Sequence, residues 1–410
     1  MSVTAYALIA CVAVVYVVYL HWQWRKHMRM LSSIPIRIHV NGTRGKSSVT
    51  RLIAAGLRAG GIRTIAKTTG TTPRLILEDG SERPIIRMNG ANISEQIKAI
   101  ELASRHGVQA LVLECMAVNP DYQWTAEHSI VRSSIGVITN VLLDHTDVMG
   151  KSLQQIASCL SNTIPENGLL ITSEVNNLEL LRFRAERLGT KMHWVDPSTV
   201  TDAESAQFSY PIFPENVATA LAVCQELNID HEVALSGMWN AMPDPGTLCS
   251  HQCDLDDKTV TFVNALAAND VMSTRRIWES VVSEKRWTSR ILMFCARKDR
   301  PARTSEFLAA ISNGWDYTLL ILVGEGTKPL CHNLLRRGVD ASRFVDLGPI
   351  DPTDIHEAIS NHLVDGALLF AAGNIVGLGE SISNFFLERI SHDGVWPHDG
   401  TRAGNFADTI

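Results

Sequence analysis

The chain has 410 residues with a formal net charge of −6, 45% hydrophobic and 20% charged residues. This is the composition of an ordinary globular protein with room for two substantial domains, which excludes widespread disorder. The acidic balance and the lack of a long basic stripe exclude nucleic acid as the main partner. Eight cysteines at irregular spacings read as reduced, mostly buried thiols. Cys249-Ser250-His251-Gln252-Cys253 has no second ligand pair at zinc-site spacing, so it does not read as a zinc site.

The first element is apolar. Ala5 to Leu20 carries no charge and is followed by His21-Trp22-Gln23-Trp24-Arg25-Lys26. A cleaved signal peptide has its basic residues before the apolar core, and here the order is reversed. The run is shorter than the ~20 residues of a usual span. Its aromatic and basic flanks extend it, so residues 1–32 are expected to form a single-pass membrane anchor with everything after Arg25 in the cytoplasm.

Residues 33–243 read as a second segment. Ile34 to Val40 alternates like a strand and runs into Gly42, and Ser47 to Arg58 follows as an amphipathic helix stopped by Gly60-Gly61. Ser94 to Arg105 reads as a helix, Val108 to Leu113 as a buried strand ending at Glu114, and Ser134 to Thr139 as another ending at Asn140. Gly168 to Thr172 is a further strand, and Pro214-Glu215-Asn216 opens a helix. Met242-Pro243-Asp244-Pro245-Gly246 is a linker, because its prolines and glycine stop any helix or strand. Residues 246–390 then repeat the βα alternation, with strands at Thr259–Val263, Arg290–Phe294, Tyr317–Val323 and Ala367–Ala371, and 391–410 are a polar tail. Continuous apolar strands alternating with helices predict α/β domains with parallel sheets covered on both faces. The expected architecture is an anchor helix, a P-loop parallel-sheet ATPase domain, and a smaller Rossmann-like α/β domain. Ligands of such sheets bind at the carboxyl ends of the strands.

The chemistry concentrates at those ends. Gly42-Thr43-Arg44-Gly45-Lys46-Ser47-Ser48 is a short phosphate turn; the common G-x-x-x-x-G-K-[ST] form would need glycine where Val40 stands. Its glycines let backbone N–H groups converge on phosphate oxygens at a helix N-terminus. Lys46 is expected to neutralise the β/γ-phosphates of ATP, and Ser47 to offer its hydroxyl to Mg²⁺. Glu114 ends a strand on the same edge, where Mg²⁺ needs hard oxygen ligands. Asn140 through Asp144-His145 and Asp147 follow another strand end, and a histidine beside carboxylates there reads as functional. In the second domain Asn264, Arg297, Lys298 and Arg300 lie at strand ends, and the basic group suits carboxylate or phosphate recognition.

Together, Asn41 to Ser48, Glu114 after its strand, and Thr139-Asn140 through Asp144-His145 resemble the Mur-ligase superfamily of ATP-dependent amide-forming enzymes. Thr68-Thr69-Gly70-Thr71-Thr72-Pro73-Arg74 looks like the loop that closes over the phosphates there, with Thr72 in the place of a metal-binding hydroxyl. Within the superfamily, the anchor, Phe262-Val263-Asn264-Ala265 with Ala268-Asn269-Asp270, Arg297 to Arg303, and Gly373-Asn374-Ile375-Val376-Gly377 resemble the catalytic subunits of poly-γ-glutamate synthases. The resemblance implies a glutamate γ-carboxylate activated by ATP as an acyl phosphate and captured by the amine of an incoming glutamate. It implies Lys46, Asp144, His145 and Asp270 in catalysis, a metal held by Ser47, Thr72, Glu114 and His145, and closure of the second domain over the first. It also implies partners: glutamate and the growing polymer, the membrane, other membrane subunits, and a homo-oligomeric assembly.

Two departures stand out. Many Mur ligases carry a carbamylated lysine some way after the Asp-His pair, but that position falls near Cys159, and Lys151 is too early. Little chain precedes the phosphate turn, which argues against a UDP-linked cell-wall precursor. A membrane-anchored P-loop ATPase, a nucleotide-binding scaffold and a folylpolyglutamate-synthase-like ligase are the rival readings.

Overall fold

Short runs of apolar and β-branched residues, each closed by a polar residue or glycine, build two separate sheets in the computed structural model, which describes residues 3–70, 73–87, 90–208, 210, 212–243, 249–266, 271–284, 287–298, 301–312, 314–375 and 377–395. The chain divides into two compact units, Met1–Val200 with Pro214–Ala241, and Thr201–Phe213 with Met242–Ile410. Residues 201–213 thus group with the second unit although they precede the proline-rich linker.

The first helix, α1, runs over Val3–Ser32. Its last turns dock on the body of the unit: Leu31 is buried, Met28 and Met30 pack beside it, and Lys26 Nζ lies 3.3 Å from Glu101 Oε1. Val12, Val14 to Leu20, Trp22 and Trp24 are exposed. Among the described residues no helix is long and apolar enough to cross a membrane. The expected span is therefore not supported: its uncharged run is short, the helix continues into His21 to Arg29, and the side chains of 1–5, 7 and 8 lie outside the described residues.

The first sheet contains β1 (Ile36–Asn41), β2 (Thr64–Lys67), β3 (Arg74–Ile76), β4 (Glu82–Pro84), β5 (Ala110–Glu114), β6 (Ile135–Ile138), β7 (Leu169–Thr172) and β8 (Lys191–Trp194), in the order β4-β3-β2-β5-β1-β6-β7-β8. From β2 to β8 the pairing is parallel, while β3 and β4 add an antiparallel hairpin at one edge. The sheet is mixed, not wholly parallel as expected. Polar residues and the Asp79-Gly80-Ser81 turn hide that hairpin from an apolar-run reading. The register sets Val40 opposite Glu114 and Asn41 opposite Ile138, which brings the carboxyl ends of β5, β1 and β6 side by side. Two helices matter for the site: α2 (Lys46–Ala59) after β1, and α3 (Glu95–His106) before β5.

Strand β1 is buried on both faces, yet only one face is apolar. Ile38 and Val40 point one way; His39 and Asn41 point the other and are equally buried. Most of the polar atoms there have a partner, as burial requires, while His39 Nε2 has no hydrogen-bond partner among the described residues. His39 Nδ1 lies 2.8 Å from Glu127 Oε2, and Asn41 Nδ2 donates to Gln123 Oε1 and Thr163 Oγ1 at 3.0 and 3.1 Å.

The second unit has β9 (Cys249–Leu255), β10 (Lys258–Asn264), β11 (Arg290–Ala296), β12 (Leu319–Gly324), β13 (Phe344–Gly348), β14 (Leu368–Gly373) and β15 (Ile390–Val395), ordered β13-β12-β11-β14-β10-β9-β15. Strands β10 to β14 pair in parallel, and β9 and β15 add antiparallel edges. Strand β9 takes up the Cys249–Cys253 segment. The first five residues of the expected tail lie in β15, and 396–410 are outside the described residues. Trp278, Phe294, Phe307 and Phe370 fill one face of this sheet, and Phe262, Met293, Ile359 and Phe386 the other.

Candidate active site

The turn after β1 passes through Gly42 at φ 134° and Gly45 at φ 78° before α2 starts at Lys46. A side chain is excluded twice over. A Cβ on Gly42 would lie 2.0 Å from Thr139 Oγ1, and one on Gly45 2.5 Å from Asn216 Oδ1. The end of β6 braces the turn: Thr43 N donates to Asn140 O at 3.1 Å, Arg44 N to Asn140 Oδ1 at 3.0 Å, and Thr139 Oγ1 to Arg44 O at 2.6 Å. The first N–H groups of α2 lack intrahelical partners and form its positive end, so the turn is built to take an anion. Lys46 Nζ lies across it, donating to Gly42 O at 2.8 Å and Thr43 O at 3.1 Å.

Ser47, one residue further, points to the end of β5. Its Oγ donates to Glu114 Oε2 at 2.9 Å, and the same oxygen accepts from Thr69 N at 2.6 Å. Glu114 is 2% exposed. A hydroxyl and a buried carboxylate beside an anion cradle are hard oxygen donors of the kind that hold Mg²⁺ against phosphate. The donor set fits the ion.

Asp144 and His145 reach the same edge. Thr43 Oγ1 accepts from Leu142 N at 3.0 Å, Glu174 Oε2 accepts from Val141 N at 2.8 Å, and Arg44 Nη2 lies 3.5 Å from Asp144 Oδ2. His145 sits at φ 44°, an uncommon conformation for a residue with a side chain. Its exposed ring has Nε2 4.0 Å from Asp144 Oδ1. Asp144 therefore faces Arg44 as well as His145, a pairing that residue types alone did not indicate. Cys159, where a carbamylated lysine was sought, is buried against Gln123 Nε2 at 3.3 Å, and burial pushes its thiol up to about 11.

Several supporting residues escaped the sequence reading. Lys67 ends β2 and is 1% exposed, with Nζ 3.2 Å from Glu95 Oε2. Arg87 grips the same carboxylate at 2.8 and 3.0 Å. Burial lowers the Lys67 ammonium from its usual range, against the pull of Glu95 and Glu114. Burial pushes Glu95 up, but Arg87 and Lys67 outweigh it and hold the carboxyl below its usual range. Burial likewise works against a charged His39, and hydrogen bonding to Cys115 and Glu127 overrides it, raising His39 to about 10. A lysine closing an apolar strand was the available signal for Lys67. Its partners come from chain too distant in sequence to be paired with it.

In the second unit, Asn264 is buried with its amide engaged: Nδ2 donates to Ser383 Oγ at 2.8 Å, and Oδ1 accepts from Leu266 N at 3.2 Å. Its expected role in holding a ligand is thus set against a structural one. Asn374 Nδ2 donates to Cys295 O at 3.2 Å. Arg297 is half-buried and Lys298 exposed, directly after β11. Thr72, Asp270 and Arg300 lie outside the described residues.

A glycine anion cradle, a hydroxyl–carboxylate pair and a second doubly wound unit define a nucleotide-dependent ligase of the Mur type. Residues 40–242 match the Mur ligase middle domain, and residues 250–389 match the poly-gamma-glutamate synthase CapB C-terminal domain. The PGA synthase CapB of Bacillus subtilis (strain 168) is 38% identical over 379 residues, covering 92% of this chain and 95% of that protein. The capsule biosynthesis protein CapB of Bacillus anthracis is 37% identical over 376 residues, 91% and 81% of the two chains. The chain belongs to the poly-γ-glutamate synthase CapB family, ATP-dependent ligases of the Mur superfamily. Its fold is similar to that of E. coli FolC in complex with ADP, with a TM-score of 0.59 at 14% identity over 89% of this chain and 92% of that one.

Proposed function

We propose that this chain uses ATP to join glutamate through γ-carboxyl linkages, by way of an acyl phosphate. The observation that supports this reading best is the Ser47–Glu114 pair set against the glycine cradle, in a chain of the CapB family. The γ-carboxylate of one glutamate attacks the γ-phosphorus of ATP. The bond to ADP breaks, and ADP leaves with the electron pair. The amine of the next glutamate attacks the acyl carbon, the carbon–oxygen bond to phosphate breaks, and the amine proton passes to a base.

Such phosphoryl transfer rests on positioning and charge neutralisation. The turn from Gly42 to Ser48 binds the β- and γ-phosphates through its N–H groups, and Lys46 swings from the Gly42 and Thr43 carbonyls onto them. Ser47 and Glu114, with Thr72, would hold Mg²⁺, which when bound supplies charge neutralisation at the transferred group. Asp144 and His145 orient the reacting carboxylate, His145 would be an additional metal ligand, and Asp270 is read as a further catalytic residue. Arg297 and Lys298, directly after β11, are read together with Arg300 as a carboxylate- or phosphate-binding group.

The exposed apolar stretch of α1, followed by Trp22, Trp24 and Arg25, is read as holding the chain at the cytoplasmic side of a membrane, beside further membrane subunits and other copies of itself. Vesicle flotation tests this. Changing Val14, Val17 and Val18 to Asp is expected to leave the protein in the soluble fraction, and unchanged flotation would sink the reading.

The catalytic reading is tested by ADP release from wild type and Lys46→Ala, each with and without glutamate. The expected result is release that depends on glutamate and is lost in the variant. Release at the same rate without glutamate would point to the simple ATPase.

A further inference from the structure

The backbone of Thr69 is held at both its N–H and its carbonyl. Its N–H donates to Glu114 Oε2 at 2.6 Å, and its carbonyl accepts from Arg87 Nη1 at 3.4 Å. Arg87 is oriented by a fork on Glu95, with Nε to Oε1 at 2.8 Å and Nη2 to Oε2 at 3.0 Å. Glu95 Oε2 also meets Lys67 Nζ at 3.2 Å, and Lys67 precedes Thr69 by two residues. The contacts close a ring through Thr69, Arg87, Glu95 and Lys67, with Glu114 as its link to Ser47.

The ring is sheltered, with Lys67 1% and Glu95 13% exposed. One lysine would suffice to neutralise Glu95. Arg87 adds a second cation, and its remaining arm reaches the one carbonyl that shares a residue with the N–H on Glu114. A planar guanidinium can hold a carboxylate with two nitrogens and a carbonyl with the third, which a lysine cannot.

We propose that Arg87, Glu95 and Lys67 are positioning residues for the metal carboxylate Glu114. By fixing the Thr69 backbone they set the orientation of Glu114. This rests on the reading of Ser47 and Glu114 as a metal–nucleotide site. Groups that orient a ligand from behind typically change metal affinity by about 10–100-fold when removed.

The test is binding of a fluorescent ADP analogue to the full chain, in chelator and across a Mn²⁺ titration. Arg87→Ala is expected to leave metal-free binding nearly unchanged while shifting the Mn²⁺ midpoint up by about 10-fold or more. Arg87→Lys is expected to recover only part, because a point charge keeps the pair with Glu95 but loses the fork. The paired variant Lys67→Met/Glu95→Gln removes both charges of the buried pair, leaves Arg87 against a neutral amide, and should move the midpoint in the same direction. In turnover, the metal requirement should rise while the rate at saturating metal is largely kept. An unchanged Mn²⁺ midpoint in Arg87→Ala, or an equal loss with and without metal, would overturn the proposal. Failure of wild type to bind the analogue under any condition would instead remove the site reading beneath it.

Discussion

The Ser47 hydroxyl and the Glu114 carboxylate, 67 residues apart in the chain, meet at 2.9 Å between the start of α2 and the end of β5. The parallel register of β1 with β5 creates this meeting by setting Val40 beside Glu114. Glu114→Gln keeps the shape but removes a charge that a divalent cation needs. It is expected to lower glutamate-dependent turnover by roughly 100-fold or more, the loss being in stabilisation of charge on the transferred phosphoryl group. Ser47→Ala should act in the same direction with a smaller loss. Steady-state rates across a Mg²⁺ series check both.

Gly45→Ala tests the phosphate turn. The new methyl would meet Asn216 Oδ1 at 2.5 Å, at a backbone φ of 78°. Strain of this kind costs on the order of 1–3 kcal/mol, so the variant should melt earlier and bind ADP more weakly. Adding Asn216→Ala relieves the clash but not the backbone, so it should recover only part of the loss. Calorimetry and an ADP titration on wild type and the two variants decide this.

The turn, the helix after it and the strand ending in Glu114 were legible because short-range pattern determines them. Two glycines, a lysine and an apolar strand on either side fix local geometry with little help from the rest of the chain. The β3–β4 hairpin was not legible, since its residues are polar and its stability comes from pairing with β2. The Lys67–Glu95–Arg87 cluster was hidden for another reason. A buried lysine is explained only by its partners, and these arrive from α3 and the segment after β4. The same holds for His39 and Asn41, whose partners lie far off in the chain. Gln123, Glu127 and Thr163 make them a buried polar face.

His39 gives a pH prediction. Its folded-state value is raised from 6.5 to about 10, so the charged ring stabilises the fold. That contribution is complete below about 6.5, shrinks as pH rises, and is gone above the folded-state value. Denaturant unfolding of the first unit should therefore weaken between pH 6.5 and about 10. Paired replacement, His39→Phe with Glu127→Leu, should flatten that dependence. A slope that persists unchanged in the double variant would contradict the assignment.

Trp278 anchors the second unit. It is 1% exposed, edge-on to Phe370 at 5.3 Å and stacked on Trp315 at 5.8 Å. Trp278→Ala should cost about 3–5 kcal/mol through the cavity it leaves. Limited proteolysis should show cleavage within residues 242–395 before cleavage in the first unit.

The central claim is that a glutamate γ-carboxylate is phosphorylated before the amide forms, and isotope transfer reads this directly. Glutamate carrying heavy oxygen in its γ-carboxyl group is supplied with ATP, and the released phosphate is examined by mass spectrometry. The account predicts one heavy oxygen in phosphate for each amide formed, with the labelled phosphate from Glu114→Gln falling in step with its turnover. Phosphate free of heavy oxygen from wild type that is making polymer would contradict it.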